Sequence, residues 1–387
     1  MVFVLEILLL LTCLTIVNSF VVYPLVIYLI GRNKIAETQK ENYEPDVAIV
    51  IAAYNEEKVI EQRIRNIAQQ DYNLDKVLVY VGSDVSSDST DNILLELKKE
   101  FPWLTVFISD QRRGKAGILN ELMPQVKSEI IIFTDANTEF QKDAVSNLVR
   151  GFTSEKVGGV CGRLVLVDSD EMRSDGVEEK KYWQYETFIK NAEGKLGVSL
   201  AANGGIFAIR RSLFQNIPIE KAVTDDLFIS LSIVSKGYKF NYKENAVAYE
   251  NTGNDLQSEY TRKVRFSATN FQLLMNFKKL LISKNRLLAY AFFSHKVTRW
   301  ILPFLLMLTL ILSYITALYS FTAALFFSLQ LMFYFLAFVG FIFSKIKLQM
   351  SIFSLPYFFV VSNVAVLVGF SRFIKKKHSV IWNSTER

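Results

Sequence analysis

Three long stretches of the chain contain no charged residue and no histidine, and they constrain the fold more than any other feature of the sequence. They cover residues 7–31, 300–344 and 348–371. An α-helix rises about 1.5 Å per residue, so the first stretch can cross a hydrocarbon core of about 30 Å once and the second can cross it twice. We therefore expect a membrane protein with a soluble domain between its apolar segments.

The charges beside the first apolar stretch predict its orientation. Three basic residues, Arg32, Lys34 and Lys40, follow it, and only one acidic residue precedes it. By the positive-inside rule, the chain that follows this segment lies in the cytoplasm. The segment carries Glu6 and lacks a small-residue cleavage site, which favours an uncleaved transmembrane anchor over residues 1–31. We expect a multi-pass protein of the cell membrane whose soluble domain is cytoplasmic.

The last apolar stretch has two interpretations. Basic residues flank 348–371 on both sides, and Pro356 and Asn363 interrupt it. We prefer a re-entrant or interfacial helix here, and the alternative is a third C-terminal transmembrane helix after the two expected in 300–344. Either way, we expect residues 372–387 to form a cytoplasmic tail.

The segment 256–299 is strongly basic. It contains nine Lys and Arg residues and one acidic residue, interleaved with Leu, Phe and Tyr. This pattern predicts amphipathic helices on an anionic membrane surface, and an ordinary surface helix with a basic face is the alternative. The net charge of the chain is +6, and because the excess lies in this segment it does not indicate a nucleic-acid partner.

The remaining part, residues 45–255, alternates short β-branched runs with helical patterns. The runs are 47–53, 76–82, 104–109, 129–135 and 158–167. This order predicts an α/β domain with a mostly parallel sheet covered by helices on both faces. Ligands of such sheets bind beyond the carboxyl ends of the strands, so the loops after the runs are the candidate sites.

Several kinds of chemistry lack the residues they need. His295 and His378 are the only histidines, which argues against a His-ligated zinc site and a Ser/His/Asp triad. Cys13 and Cys161 are the only cysteines, so no disulfide framework is expected. No Walker P-loop is present, and no Gly-x-Gly-x-x-Gly follows the first run. We expect chemistry that depends on carboxylates.

Polar loops follow the first, second and fourth runs. Residues 53–57 (AYNEE) and 83–90 (SDVSSDST) follow the first two. Taken alone, a residue such as Asn55 is more simply explained as a helix N-cap. Asp135 and Asn137 follow the fourth run, where side chains two residues apart can both reach a divalent cation. A solvated turn explains this pair equally well in isolation.

Eight motifs, taken together in order and spacing, resemble the processive, membrane-integrated members of glycosyltransferase family 2. Hyaluronan, cellulose and poly-N-acetylglucosamine synthases belong to that group. The motifs are AAYNEE, SDVSSDST, RRGKAGILNEL, FTDAN, ANGGIFAIRR, VTDD, RKVRF and the terminal WNSTER. The resemblance covers nearly the whole chain. It implies a GT-A fold that binds a nucleoside diphosphate sugar, usually a UDP-sugar, together with Mg²⁺ or Mn²⁺.

The resemblance also implies a donor site made of the loops. Ala53, Tyr54 and Glu56 correspond to the loop that grips the nucleotide. Asp84 corresponds to the carboxylate that reads the base, and Lys115 to a basic residue near the donor. Cations and backbone donors suit a diphosphate, and an acceptor suits a uracil N–H.

The metal and the general base are implied by two acidic motifs. Asp135 aligns with the first aspartate of the family's Asp-x-Asp motif and Asn137 with the second. Asparagine can ligate through its carbonyl but removes one negative charge, which puts metal affinity and metal choice in question. Asp225 and Asp226 resemble the Thr-Glu-Asp motif, whose last carboxylate is the base of an inverting transfer. The alternative is a carboxylate pair that stabilises a helix N-terminus through its dipole.

The motif RKVRF resembles Gln-x-x-Arg-Trp with two replacements. By the resemblance, Arg262 belongs to the substrate site, Arg265 neutralises the departing diphosphate, and Phe266 offers a face on which an acceptor sugar stacks. The alternative assigns all three only to the basic interfacial helix.

Two further motifs complete the implied site. Asn203 and Gly204 precede a short strand, where glycine permits close approach of the backbone to a sugar or an acceptor. Trp382 belongs to a terminal motif that resembles Trp-x-x-Thr-x-Arg, which lies near the cytoplasmic active site in the family.

The leading interpretation is a membrane-bound inverting glycosyltransferase that extends a polysaccharide. One alternative is transfer of a single sugar to a polyprenyl-phosphate lipid. A catalytically silent subunit of a synthase complex is another, and Asn137 keeps it open. The expected partners are a nucleotide-sugar donor, a glycan or lipid-linked acceptor and the bilayer. Because three or four helices are thin for a channel, a homodimer or an export complex is also considered.

Overall fold

The computed structural model describes residues 2–34, 43–167, 174–251, 256–346, 348 and 350–376. Within these residues the chain forms two compact units. The helical unit falls within Met1–Ile27, Asp170–Tyr185 and Asp255–His378, and the sheet unit falls within Tyr28–Ser169 and Glu186–Asn254. Trp382 and the rest of the terminal motif lie outside the described residues.

The sheet unit contains eight strands. They are β1 (Val47–Ala53), β2 (Val77–Ser83), β3 (Leu104–Ile108), β4 (Ile130–Thr134), β5 (Thr138–Phe140), β6 (Val157–Val167), β7 (Phe207–Arg210) and β8 (Lys239–Asn251). Their order in the sheet is β3-β2-β1-β4-β7-β6-β8-β5. The first four are mutually parallel, whereas β7 runs antiparallel to both β4 and β6. The parallel half agrees with the βαβα pattern, and the mixed half was not predicted.

The described residues form fourteen α-helices. They are α1 (Val2–Val17), α2 (Tyr23–Gly31), α3 (Ile60–Ala68), α4 (Thr90–Glu100), α5 (Gly114–Leu122), α6 (Ala144–Val149), α7 (Ser174–Leu196), α8 (Asp225–Ser235), α9 (Leu256–Phe277), α10 (Arg286–Ala291), α11 (Thr298–Trp300), α12 (Leu302–Ala317), α13 (Phe321–Lys345) and α14 (Ser351–Ile374). The helices α1 and α2 are joined by a π-helical turn over Asn18–Val22.

The core of the sheet unit explains why β1 is almost entirely apolar. Six of its seven residues are buried, as expected for a central parallel strand covered on both faces. Ile60, Ile64 and Ile67 recur at helical spacing on α3 and belong to the same buried cluster as Ile49. Each such side chain stabilises the fold by about 1.5–3 kcal/mol when it is removed from water. This packing fixes the carboxyl end of β1, from which the first loop begins.

Among the described residues, three helices are long and apolar enough to cross a membrane. They span Val2–Gly31, Phe321–Lys345 and Ser351–Ile374. A fourth span results if Arg286–Trp300 and Leu302–Ala317, which meet at a bend of 71°, are counted as one. The helix α14 continues through its internal proline. Neighbouring groups in a membrane protein can satisfy the backbone atoms that such a proline leaves free.

Glycines allow α14 to approach its neighbours closely. A Cβ atom on Gly340 of α13 would lie 2.4 Å from the carbonyl oxygen of Phe353, and one on Gly369 would lie 2.7 Å from that of Val264 on α9. Small residues at helix contacts are typical of apolar bundles, because backbone packing takes the place of a hydrophobic driving force. The helical unit is therefore held together by close backbone contact along α14.

Candidate active site

The carboxyl ends of β1, β2 and β4 lie side by side. Ala53 pairs with Ser83 across β1 and β2, and Ile51 pairs with Thr134 across β1 and β4. The loops after these strands therefore share one edge of the sheet, as the sequence predicts. Asp84 leaves β2 at this edge, and its amide donates to the carbonyl of Ala53 over 2.9 Å.

The first two loops are joined by side-chain hydrogen bonds. Asn55 has φ of 55°, and its side-chain oxygen accepts from the amide of Ser87 at 2.7 Å. The amide of Glu56 donates to Oγ1 of Thr90 at 2.8 Å. Asn55 is thus not the N-cap of α3, which begins at Ile60; it connects the two loops instead. These contacts fix the backbone around Tyr54 and Glu56.

The buried carboxylate of Asp84 organises the third loop. It is 3% exposed, and its two oxygens accept from the amides of Arg113 at 2.7 Å and Gly114 at 2.9 Å. A guanidinium nitrogen of Arg112 lies 3.3 Å from the same carboxylate. Arg112 also stacks over Tyr54, with 3.2 Å between the guanidinium carbon and the ring centroid. The role of Asp84 in reading a base remains a prediction, because its oxygens already have partners within the protein.

Three carboxylates and one ammonium group meet near Gly204. The ammonium nitrogen of Lys115 lies 2.7 Å from Oδ1 of Asp135 and 3.0 Å from Oδ2 of Asp225. A Cβ atom on Gly204 would lie 3.5 Å from Oδ2 of Asp226 and 3.7 Å from Oδ2 of Asp135. The structure thus brings together five of the residues that the sequence selected. We call Lys115, Asp135, Gly204, Asp225 and Asp226 the carboxylate centre.

Burial controls the protonation of the carboxylate centre. Removal from water and the negative charge of Asp225 raise the pKa of Asp226, the cations Lys115 and Lys190 partly oppose the shift, and the net pKa is about 7. Burial lowers the pKa of Lys115, but the negative charges of Asp135 and Asp225 raise it by more. The net shift of the Lys115 pKa is therefore upward. Asp226 therefore titrates in the range that suits a general base, and Lys115 stays cationic.

The donor atoms near Asp135 suit a hard divalent cation. No group of three or more His, Cys, Asp or Glu side chains within the described ranges is arranged to hold a metal ion. Asp135 offers a carboxylate and Asn137 an amide carbonyl, and the side-chain nitrogen of Asn137 donates to Glu250 at 3.2 Å. Oxygen ligands of this kind, completed by diphosphate oxygens, are those that Mg²⁺ and Mn²⁺ accept.

The side chain of Asn203 lies in the interior of the sheet unit. It is 6% exposed, accepts a hydrogen bond from the ammonium group of Lys190 and donates to the carbonyl of Gly162 at 2.7 Å. Gly204, the next residue, adjoins the carboxylates. The predicted contact of Asn203 with substrate stays a prediction.

The residues of the RKVRF motif lie on α9 of the helical unit. The guanidinium carbon of Arg265 is 5.3 Å from the ring centroid of Phe266, which is exposed. Arg262 lies one turn earlier on the same helix. Their predicted contacts with diphosphate and acceptor remain predictions.

Sequence reasoning missed three cations of the sheet unit. Arg112 lies inside the quoted motif RRGKAGILNEL, so its position beside a selected loop was the available signal. Lys190 and Arg63 lie on α7 and α3, outside the eight motifs. No pattern in the sequence distinguishes these two from ordinary helix residues.

Replacement of Gly204 by alanine is expected to spare the fold and impair the site. The added methyl group would make ordinary contacts with Asp226 and Asp135, so the melting temperature should stay near that of the wild type. It would also fill the space between the two carboxylates, and kcat/KM for a sugar donor should fall about 100-fold. Gly205→Ala is the contrasting variant, because its methyl group would lie 2.9 Å from Oγ1 of Thr138 and should lower the melting temperature. Full activity in Gly204→Ala would show that the space is not used.

The sequence of residues 48–217 matches the model of the glycosyl transferase family 2. A solved structure, a mannosyltransferase from Pyrobaculum calidifontis in complex with GDP-Man and Mn²⁺, superposes with a TM-score of 0.68 at 20% identity. The superposition covers 96% of this chain and 100% of the mannosyltransferase chain. These findings confirm a glycosyl transferase family 2 domain and the GT-A fold class, a mixed sheet with helices joined to apolar helices.

Curated relatives match over very different lengths. A poly-beta-1,6-N-acetyl-D-glucosamine synthase of Staphylococcus epidermidis is 21% identical over 92% of this chain and 91% of its own. A probable glycosyltransferase of Bacillus subtilis is 24% identical over 60% of this chain and 57% of its own. A beta-monoglucosyldiacylglycerol synthase of Trichormus variabilis is 37% identical over 33% of this chain and 28% of its own. The chain thus spans less than two thirds of the length of the latter two relatives.

Proposed function

Because the chain carries a glycosyl transferase family 2 domain, we propose that it transfers a sugar from a nucleotide-sugar donor, a UDP-sugar, to a growing polysaccharide on the cytoplasmic side of the cell membrane. The observation that carries this proposal is the carboxylate centre. It combines a half-buried carboxylate, Asp226, with a fixed cation, Lys115, at the edge of the sheet where the loops meet. A proton acceptor and a positive charge are what transfer from a diphosphate requires.

In the proposed reaction Asp226 removes the proton from an acceptor hydroxyl as the oxygen attacks the anomeric carbon of the donor. The bond between that carbon and the diphosphate oxygen breaks, the configuration inverts, and the nucleoside diphosphate leaves with the electron pair. Lys115 and, in this proposal, Arg265 stabilise the leaving group by their positive charge. A divalent cation held by Asp135 and Asn137 would add further positive charge at the diphosphate.

A polysaccharide product is supported by the relative that matches over most of its own length, the poly-beta-1,6-N-acetyl-D-glucosamine synthase. A second candidate is transfer of one sugar to a lipid. It is favoured by the higher identity to beta-monoglucosyldiacylglycerol synthase, although that match covers only a third of this chain. The silent-subunit alternative is less favoured, because a half-buried Asp226 with a raised pKa is typical of a working base.

The proposed membrane arrangement follows from the apolar helices. Val2–Gly31 would anchor the chain, and the α9 region would lie at the cytoplasmic surface. The helices α12, α13 and α14 would complete the membrane part. The growing glycan would leave along them or through a partner subunit. A protease-protection experiment on inverted vesicles checks this orientation.

The length of the product separates the two candidate functions. The protein is reconstituted in lipid nanodiscs with Mn²⁺ and a radiolabelled UDP-sugar, and the product is resolved by size and by its partition into organic solvent. The proposal predicts a long, water-soluble glycan. A single labelled glycolipid would instead favour the lipid-directed candidate, and it would contradict polysaccharide synthesis.

The rate of transfer is expected to fall as the pH drops through about 7. Only the deprotonated form of Asp226 accepts a proton, and its pKa is raised to about 7, so protonation below this value removes the base. Asp225→Asn removes a neighbouring negative charge and should move this acidic limb to lower pH. The measurement is kcat/KM between pH 5 and 9, and an acidic limb that stays in place in Asp225→Asn would contradict the assignment.

A further inference from the structure

We propose that Lys190 and Arg63, two buried cations outside the eight motifs, are positioning residues that hold the turn Asn203–Ile206 against the carboxylate centre. The inference rests on the proposed function for its catalytic consequence. Its structural part concerns the turn alone, in which the amide of Ile206 donates to the carbonyl of Asn203 at 2.9 Å.

Lys190 holds the first residue of the turn. It lies on α7, is 7% exposed, and donates to the side-chain oxygen of Asn203. The side-chain nitrogen of Asn203 donates to the carbonyl of Gly162 at 2.7 Å, and its backbone amide contacts the sulfur of Cys161 at 3.2 Å. A buried ammonium group is costly unless it is hydrogen-bonded. Lys190 is therefore placed where its charge fixes one polar side chain at the start of the turn.

Arg63 holds the third residue of the turn through Thr134. Arg63 lies on α3 and is 2% exposed, and its guanidinium donates to Oγ1 of Thr134 at 3.1 Å. The same hydroxyl donates to the carbonyl oxygen of Gly205 at 2.8 Å. The guanidinium also donates to Asn66 at 2.6 Å and lies 4.0 Å from the ring centroid of Phe140. A cation with this many contacts has little freedom to move.

Gly204 is the residue between these two attachments. It has no side chain, and its backbone adjoins the carboxylates of Asp226 and Asp135. Gly204 can keep its position beside these carboxylates only if the residues on either side of it are held, because glycine restricts the backbone least of all residues. Lys190 on one side and Arg63 on the other supply that restraint. A displacement of about 1 Å at a reacting centre can reduce a rate about 100-fold.

The test combines hydrogen–deuterium exchange with kinetics in the full chain in nanodiscs. Lys190→Met removes the first attachment, and Thr134→Val removes the second while keeping the buried guanidinium. Both should accelerate exchange of the amides in 203–206 about tenfold, because each leaves the turn with one hydrogen bond fewer. With a donor that the wild type turns over, kcat should fall about 100-fold, whereas the donor KM should change less than about threefold.

Arg210→Met is the matched control. Arg210 is also a largely buried cation that donates to backbone carbonyls, those of Val157 and Ser154, but it lies at the opposite end of β4 from Thr134. Its loss should lower the melting temperature without changing kcat per folded molecule. The pair of readouts thus separates a loss of stability from a loss of positioning.

Unchanged exchange in 203–206 in both folded variants would overturn the proposal. So would accelerated exchange with an unchanged kcat, because the turn would then have no effect on the chemistry. If the wild-type chain releases nucleotide from no donor, the proposed function fails. The exchange difference then still supports or overturns the positioning of the turn by itself.

Discussion

Asp226→Asn is expected to lower kcat about 1,000-fold or more while leaving the affinity for UDP and Mn²⁺ within about threefold of the wild type. The amide cannot accept the proton of the acceptor hydroxyl, and general base catalysis of this kind contributes about 100- to 10,000-fold. The backbone amide of Leu227 donates to Oδ1 of Asp226 at 2.7 Å, and the oxygen of asparagine can keep that bond. The substitution therefore changes the chemistry with little change in local structure.

Steady-state kinetics and calorimetric titration with UDP measure the two halves of this prediction. Asp75→Asn, which makes the same chemical change at an exposed position, is the control and should retain full activity. A kcat of Asp226→Asn within about tenfold of the wild type would exclude Asp226 as the base. Loss of UDP binding would instead place Asp226 in the donor site.

Asp135→Asn is expected to weaken Mn²⁺ binding about 100-fold and to remove most of the Mn²⁺ dependence of UDP binding. Asp135 is the one carboxylate of the metal motif, and its neighbour Asn137 brings no charge. The loss of this carboxylate also removes the closer of the two ion-pair partners of Lys115. The free Mn²⁺ concentration, measured by electron paramagnetic resonance during titration, reports binding without any need for turnover.

Asn137→Asp is the matched opposite change. It restores the second carboxylate of an Asp-x-Asp motif and should tighten Mn²⁺ binding several-fold, because ligand charge sets affinity for hard cations. Equal Mn²⁺ affinity in Asp135→Asn and the wild type would contradict the proposed metal site. Unchanged affinity in Asn137→Asp alone would show that residue 137 is not a ligand.

The carboxyl edge of the sheet could be predicted from the sequence for a clear physical reason. Strands such as Val47–Ala53 and Ile130–Thr134 are apolar runs followed directly by polar residues, and parallel strands bring those residues to one edge. Asp135 was selected in this way, whereas Lys115 and Asp226 were selected by the family motifs, and the structure places the three together. The family motifs supplied the rest of the selection.

The buried supports of the site could not be predicted. Lys190 and Arg63 are charged residues of helices, and such residues are usually exposed, so the sequence gives no sign that they are buried. Their position depends on long-range packing, since Arg63 and Thr134 are 71 positions apart in the sequence. The short strand after Gly204 was predicted, but its antiparallel position between β4 and β6 was not, because a run of four residues does not indicate its pairing partners.

Nucleotide release from a panel of UDP-, GDP- and TDP-sugars tests most directly whether the protein is a working glycosyltransferase. It uses the purified protein in lipid nanodiscs with Mg²⁺ or Mn²⁺, beside Asp226→Asn. The proposed function predicts that nucleotide is released from a UDP-sugar and that this release disappears in the variant. Release that persists in Asp226→Asn, or no release from any donor by a protein that binds UDP, would contradict it.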